Sequence, residues 1–316
     1  MKTTPSLLLV GAGNMAQQYA PILDDLKIEY DVVCQSDSSA IKFQEKTNHN
    51  CYSGGLENHL ENSNSKYTKA IVTTGVEALL QSAVTLIKSG VKNILLEKPG
   101  GMNAEEINLL AHISAEHQAH VFIAYNRRFY ASVLKAKELI AQDGGILSGN
   151  FEFTEWAHTI EPLQKAPGVK ENWFLANSTH VVDLGFHLMG KPREMASFTS
   201  GKLSWHNPAI FSGAGQTDKN VLFSYRANWL SPGRWGVEVL TAKRKLIFQP
   251  MEKLFEQLHG SVAVNEVAID DAIDLKFKHG LWLQTFHFVN DNYAELKTIK
   301  EQKDDLSIFT KMLNQN

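Results

Sequence analysis

The chain has little cysteine, no surplus of basic residues and no long apolar run, and each shortage removes a class of protein. Two cysteines, Cys34 and Cys51, in 316 residues cannot build a disulfide framework or a four-cysteine zinc site, which fits a reducing cytoplasm. Lysine and arginine number 31 against 34 acids, a net charge of −3. No basic excess is left to neutralise phosphates, so a dedicated nucleic-acid binder is not expected. No apolar run approaches the roughly 18 residues of a membrane span. Lys2 followed by Leu7-Leu8-Leu9-Val10 and small residues imitates a secretory leader, but the run stops at Gly11, too soon for one. A buried strand running into a glycine turn is expected instead.

At roughly 150 residues per domain the length points to two domains, divided at residue 125 into 1–125 and 126–316. Over the first part short apolar runs alternate with helical stretches. Strands are expected at Ser6–Val10, Tyr30–Gln35, Ala70–Thr74, Ile94–Glu97 and His120–Tyr125. Between them helices are expected at Asn14–Leu26, Ser39–Lys46, Val76–Lys88 and Ala104–Glu116, with loops at Gly54-Gly55 and Glu61–Ser65. Strict alternation means βαβ units and a doubly wound α/β parallel sheet of the Rossmann type. No solenoid-period repeat or low-complexity tract interrupts it. After the turn Asp143-Gly144-Gly145 the pattern changes to period two at Asn150–Trp156 and Val221–Trp229, with further strands expected at Gly236–Thr241, Lys245–Gln249 and Val262–Ile269. That predicts an α+β domain with a mostly antiparallel open sheet. One helix is expected near Ser178–Met189 and a last one from Leu281, with Trp282, Phe286, Val289, Tyr293 and Leu296 along one stripe.

Gly11-Ala12-Gly13-Asn14-Met15-Ala16 is G-x-G-x-x-A between an expected strand and an expected helix, the context that gives the string meaning. Gly11 allows a tight turn, Gly13 lets the backbone N–H groups of Asn14 and Met15 approach a pyrophosphate, and Ala16 permits close packing of helix on strand. The second strand should end in an acid that binds the adenosine ribose of NAD. Gln35 stands there instead, with Ser36, Ser38 and Ser39 available to a 2′-phosphate and Asp37 two residues late. This favours NADP over NAD.

Glu97-Lys98-Pro99 closes another strand, where doubly wound folds place ligands. Alone it is a surface turn. With the glycine turn before it and Tyr125-Asn126-Arg127-Arg128-Phe129 and Asp183-Leu184-Gly185-Phe186-His187 after it, the order resembles the Gfo/Idh/MocA family of NAD(P)-dependent oxidoreductases. The stretch Glu171–His187 looks most like members found among bacterial surface-polysaccharide genes. The resemblance implies hydride transfer between a nicotinamide cofactor and a carbinol carbon of a sugar, cyclitol or nucleotide-activated sugar, in a homo-oligomer (dimer or tetramer). It implies that Lys98 binds the reacting oxygen and the cofactor ribose, Asp183 binds a substrate hydroxyl or orients His187, and His187 is the general acid/base. Thr74 and Glu97 fall on the cofactor side. The family's T-P-x-x-x-H is absent, since Thr74-Gly75-Val76 lacks both Pro and His.

The residues support the pairing on their own terms. Asp183 and His187 stand i and i+4 on an expected helix, about 40° apart, so both can face one cleft. An imidazole transfers protons near neutrality, and a carboxylate beside it raises its basicity. Tyr125, Asn126 and Arg127 could contact substrate or brace the junction, Trp173 could stack on a sugar face, and Asn177 and His180 flank the helix. A metal is not expected, because His180 lacks a third ligand. Two other readings stay open, a dinucleotide-binding sensor without catalysis and an NAD-retaining glycosidase or epimerase. The face bearing Phe223, Tyr225 and Trp229 could be core or subunit interface.

Overall fold

A computed structural model describes residues 6–63 and 65–314; Lys2 of the leader-like start and Asn64 of the Glu61–Ser65 loop lie outside them. In chain order the elements are β1 (Leu7–Val10), α1 (Asn14–Asp25), β2 (Tyr30–Val33), α2 (Asp37–Thr47), α3 (Leu56–Asn62), β3 (Lys69–Val72), α4 (Leu79–Lys88), β4 (Asn93–Leu96), α5 (Ala104–Glu116) and β5 (His120–Ile123). There follow α6 (Ala131–Gln142), β6 (Ser148–Phe153), α7 (Ala157–Ile160), α8 (Thr179–Met189), β7 (Pro192–Ser200), β8 (Ile210–Thr217), β9 (Leu222–Asn228), β10 (Trp235–Leu240), β11 (Arg244–Phe248), β12 (Phe255–Leu258) and β13 (Asn265–Glu266). The chain closes with α9 (Ala272–Lys276), α10 (Leu281–Val289), β14 (Lys297–Thr298) and α11 (Ile299–Met312). Two compact units result, one of residues 1–125 with 281–304 and one of 126–280 with 305–316.

The first unit is a doubly wound sheet of order β14-β5-β4-β3-β1-β2. Its strands β1 to β5 are parallel. Leu7, Leu8, Leu9 and Val10 are all buried, the continuous apolar run of a strand covered on both faces. Strand order reverses at β1, which lies between β3 and β2. β14 pairs antiparallel with β5, Lys297 opposite Ile123, so a segment 174 positions later in the chain completes this sheet. The predicted final helix ends at Val289, and Tyr293 and Leu296 lie beyond it. Tyr293 nevertheless stacks on Phe122 of β5 at 4.5 Å. α3 was not expected because none of its residues is buried, and a helix without an apolar face leaves no periodic signal.

The second unit is an eight-stranded sheet of order β13-β12-β11-β10-β6-β9-β8-β7, antiparallel except where β6 runs parallel to β9. Its apolar face carries Phe151, Phe153, Phe211, Phe223, Tyr225 and Trp229, each at most 3% exposed. Phe223, Tyr225 and Trp229 are therefore core within the chain. α8 packs here through Gly185, where a Cβ would stand 2.8 Å from the Phe151 ring. β7 and β8 escaped the sequence reading because β8 is built of small residues. A Cβ at Gly213 would stand 2.4 Å from the Tyr225 ring, and one at Gly215 2.1 Å from the Glu194 carbonyl oxygen. Of the strand expected at Val262–Ile269 only Asn265–Glu266 pairs.

Candidate active site

The glycine turn divides its two duties cleanly. Gly11 has φ +107°, and a Cβ there would meet Thr73 Oγ1 at 2.6 Å and the Thr73 carbonyl carbon at 3.1 Å. Gly11 is fixed by the fold. Gly13 has φ −77° and ψ −169°, ordinary extended backbone, and nothing lies within 4 Å of where its Cβ would be. The space over Gly13 is therefore open, and no side chain caps α1. The first-turn N–H groups of α1, including those of Asn14 and Met15, have no carbonyl partner within the helix, the general arrangement that suits an anion. Ala16 is fully buried, as close helix–strand packing requires.

A cavity of about 560 Å³ opens at the ends of β1, β2 and β3, lined among others by Gly11, Cys34, Gln35, Gly55, Glu57 and Thr74. It spans the reversal of strand order, where doubly wound sheets bind ligands. Gln35 lies against Gly55, whose Cβ would be 2.9 Å from Gln35 Oε1. Ser36 is the N-cap of α2, its Oγ accepting from Ser39 N and donating to Ser39 Oγ, with Ser38 Oγ 3.2 Å away. The Ser36 hydroxyl is thus engaged in helix capping. Glu57, which sequence reasoning passed over, enters the cavity from α3, and its Oε1 accepts from Gln81 and Thr85 of α4. Nothing in the sequence flagged it, because a lone Glu on a polar helix carries no pattern.

Glu97 and Lys98 follow β4 and are half-buried. Tyr19, fully buried, donates to Glu97 Oε1 at 3.5 Å; burial, and then the Glu97 charge, push its hydroxyl pKa well up, so it remains a donor. The loop is braced from far along the chain. Gln302 Nε2 donates to the Pro99 carbonyl at 2.9 Å and to Tyr125 Oη at 3.0 Å. Tyr125 is 1% exposed, with Lys297 Nζ 5.0 Å from its ring centroid. The structure thus makes Tyr125 a support of the Lys98–Pro99 turn rather than a residue open to substrate.

In the second unit Asn126 donates to the His279 carbonyl at 2.8 Å. Arg128 grips Asp183 with a two-pronged pair, Nε to Oδ2 at 2.8 Å and Nη2 to Oδ1 at 2.7 Å, the fork geometry suited to a carboxylate. Arg127 lies over the Trp235 ring at 4.7 Å, and burial pulls its pKa down. Before α8 the backbone makes a π-turn over Phe174–Ser178, a feature frequent at functional sites. It presents Asn177 Nδ2 to both oxygens of Glu155 at 3.1 Å and Ser178 Oγ to Oε1 at 2.7 Å. Glu155 is 5% exposed and was not anticipated. His180 is buried, 6.1 Å from Trp235 between ring centroids. Trp173 is buried edge-on to Trp205, a packing role. Asp183 and His187 sit on consecutive turns of α8, Asp183 buried and His187 half-buried.

Residues 6–125 match an oxidoreductase family with an NAD-binding Rossmann fold, Gfo/Idh/MocA. Over that span the chain is similar to the Rossmann domain of that family. The whole chain shares its fold with solved oxidoreductase structures. The WlbA dehydrogenase from Chromobacterium violaceum, solved with NADH and UDP-GlcNAcA, is 15% identical, with 100% of this chain and 96% of that one covered and a TM-score of 0.71. GnnA from Acidithiobacillus ferrooxidans, a UDP-N-acetylglucosamine 3-dehydrogenase, is 13% identical, with coverage of 98% and 96% and a TM-score of 0.72. A putative NADPH-dependent oxidoreductase from Desulfitobacterium hafniense is 14% identical, with coverage of 99% and 95% and a TM-score of 0.79. No curated protein matches the chain. Among the described residues no helix is long and apolar enough to cross a membrane.

Proposed function

We propose that this chain is a cytoplasmic NAD-dependent dehydrogenase that moves hydride between the nicotinamide and a carbinol carbon of a sugar, cyclitol or nucleotide-activated sugar. One observation carries the reading. The turn at Gly11–Gly13 leaves open space where a pyrophosphate would lie, at the head of a cavity across the strand-order reversal of a domain that matches an NAD-binding family. The nucleotide-sugar class is supported by the likeness to WlbA and GnnA.

Between the two dinucleotides, the cavity lining supports NAD. Gln35 alone would favour NADP, but Glu57 brings a carboxylate, and among the described residues no lysine or arginine lines the cavity to neutralise a 2′-phosphate. When bound, the dinucleotide supplies the hydride acceptor or donor at nicotinamide C4. The chain's own residues do the rest. His187 takes the hydroxyl proton on an imidazole nitrogen during oxidation and returns it during reduction. Lys98 Nζ donates to the reacting oxygen and stabilises the charge that develops there. Arg128 holds both oxygens of Asp183 and so fixes the carboxylate, which orients His187 or binds a substrate hydroxyl. The resemblance also supports a dimer or tetramer, formed through the sheet face opposite Tyr225, where Phe198 is 68% and Leu222 59% exposed.

Calorimetric titration with NAD and turnover on a panel of nucleotide sugars test the reading. Lys98→Met and His187→Ala are each expected to lower turnover by about 100-fold or more, and His187→Ala to leave NAD affinity nearly intact. No dinucleotide binding refutes the function, and unchanged turnover refutes the residue roles.

A further inference from the structure

The only two cysteines of the chain stand 17 positions apart, yet their sulfurs lie 3.4 Å from one another. Backbone pairing brings them together. Cys34 N donates to the Tyr52 carbonyl and Tyr52 N to the Val32 carbonyl, both at 2.8 Å, with Val33 bridged in parallel to Tyr52. Cys34 is buried and Cys51 half-buried. Cys34 also lines the 560 Å³ cavity, as do Gln35, Gly54 and Gly55 on the segments that the pair would join.

We propose that Cys34 and Cys51 form a reversible disulfide within the chain, and that its formation weakens dinucleotide binding at the adenosine end of this cavity; the second clause rests on the cofactor reading above. Bond formation needs the sulfurs to close from 3.4 Å to roughly 2.05 Å, a movement of about 1.3 Å shared by two side chains. With a peroxide as oxidant, one thiol as its thiolate attacks the O–O bond and becomes a sulfenic acid, releasing hydroxide. The second sulfur then attacks the first, the S–O bond breaks and water leaves. Two thiols and one hydrogen peroxide give one disulfide and two waters, the two electrons passing from sulfur to oxygen. Burial and the neighbouring Cys34 push the Cys51 thiol up to about 12, which keeps its thiolate scarce at neutral pH. Oxidation also removes the Cys34 S–H that donates to the Ser36 carbonyl at 3.3 Å, loosening the Gln35–Ser36 turn on the cavity wall.

The test uses the intact protein, incubated at length with hydrogen peroxide or oxidised glutathione. The expected product has lost two hydrogens by mass, shows no titratable thiol after denaturation, runs as a monomer on a non-reducing gel and reverts with dithiothreitol. Its Kd for NAD is expected to rise about threefold, the effect of one weak hydrogen bond, and to recover on reduction. Cys51→Ser under the same oxidant is expected to keep the affinity of the reduced protein. Two thiols that still titrate, a crosslink between chains, or sulfinic acid without a crosslink would overturn the disulfide. A formed disulfide with unchanged NAD affinity would overturn the effect on binding. A disulfide in a protein that binds no NAD in either state would uphold the crosslink and refute the cofactor reading.

Discussion

Alanine at Gly11 and alanine at Gly13 are chemically the same change two residues apart, and the structure assigns them opposite consequences. At Gly11 the added methyl group meets Thr73 Oγ1 at 2.6 Å and the Thr73 carbonyl carbon at 3.1 Å, on a backbone with φ +107°. The conformation alone costs about 1–3 kcal/mol for a residue with a Cβ. The clash adds to it, because Thr73 Oγ1 is buried and donates to the Val10 carbonyl at 2.9 Å. A total of about 2–4 kcal/mol is expected. At Gly13 the φ of −77° accepts alanine, and the methyl group meets nothing within 4 Å. Alanine restricts the unfolded chain, worth about 0.4–1 kcal/mol, and is a poorer N-cap than glycine by a similar amount. The two offset, so Gly13→Ala should unfold in urea within about 1 kcal/mol of the parent protein. Its methyl group nevertheless occupies the space proposed for the pyrophosphate, and NAD affinity should fall by about tenfold or more, as a loss of roughly 1.4 kcal/mol requires. Urea titration and calorimetry on both variants decide the matter. If Gly13→Ala binds NAD as the parent does, the open turn is not a phosphate site. If Gly11→Ala is as stable as the parent, the account of the turn is wrong.

Three further perturbations follow from the same structure. Arg128→Ala removes the guanidinium that pairs with the Asp183 carboxylate, whose side chain is 2% exposed against 10% for Arg128, and should destabilise the protein by about 3–5 kcal/mol, whereas replacing both partners by apolar residues should cost much less; equal losses by denaturant titration would refute the charge argument. Glu57→Gln should raise NADP affinity about tenfold by removing repulsion of the 2′-phosphate, with NAD affinity changed less; calorimetry showing NADP bound no better would remove Glu57 from cofactor selection. Burial lowers the pKa of His206, against the raising effect of the hydrogen bond its ring donates to the Pro208 carbonyl, so the folded state prefers the neutral ring. Stability from this source is complete above the unfolded value near 6.5 and is lost as pH falls below it towards the folded value. His206→Gln should flatten that decline in urea midpoints between about pH 7 and 5, and an unchanged slope would refute the assignment.

The sequence by itself determined those features whose signal is local. The apolar run at Leu7–Val10, the turn at Gly11–Gly13, α5 with its boundaries and the alternation over β9 are all set by neighbouring residues. A strand's period, a helix's face and a glycine's freedom are properties of a few consecutive positions. The same holds for Asp183 and His187, which one helix fixes at i and i+4. The tertiary structure alone decided what depends on a partner distant in the chain. Gln302 bracing Pro99 and Tyr125, β14 completing the first sheet, Arg128 gripping Asp183, Glu155 receiving Asn177 and Ser178, and the meeting of Cys34 with Cys51 leave no periodic trace. α3 and β8 were silent for a related reason, since one buries no face and the other is shaped by the ring and the backbone packed against its glycines. The physical division is between backbone preference, which each short stretch carries with it, and side-chain complementarity, which comes into being only when distant segments are brought to within a few ångströms.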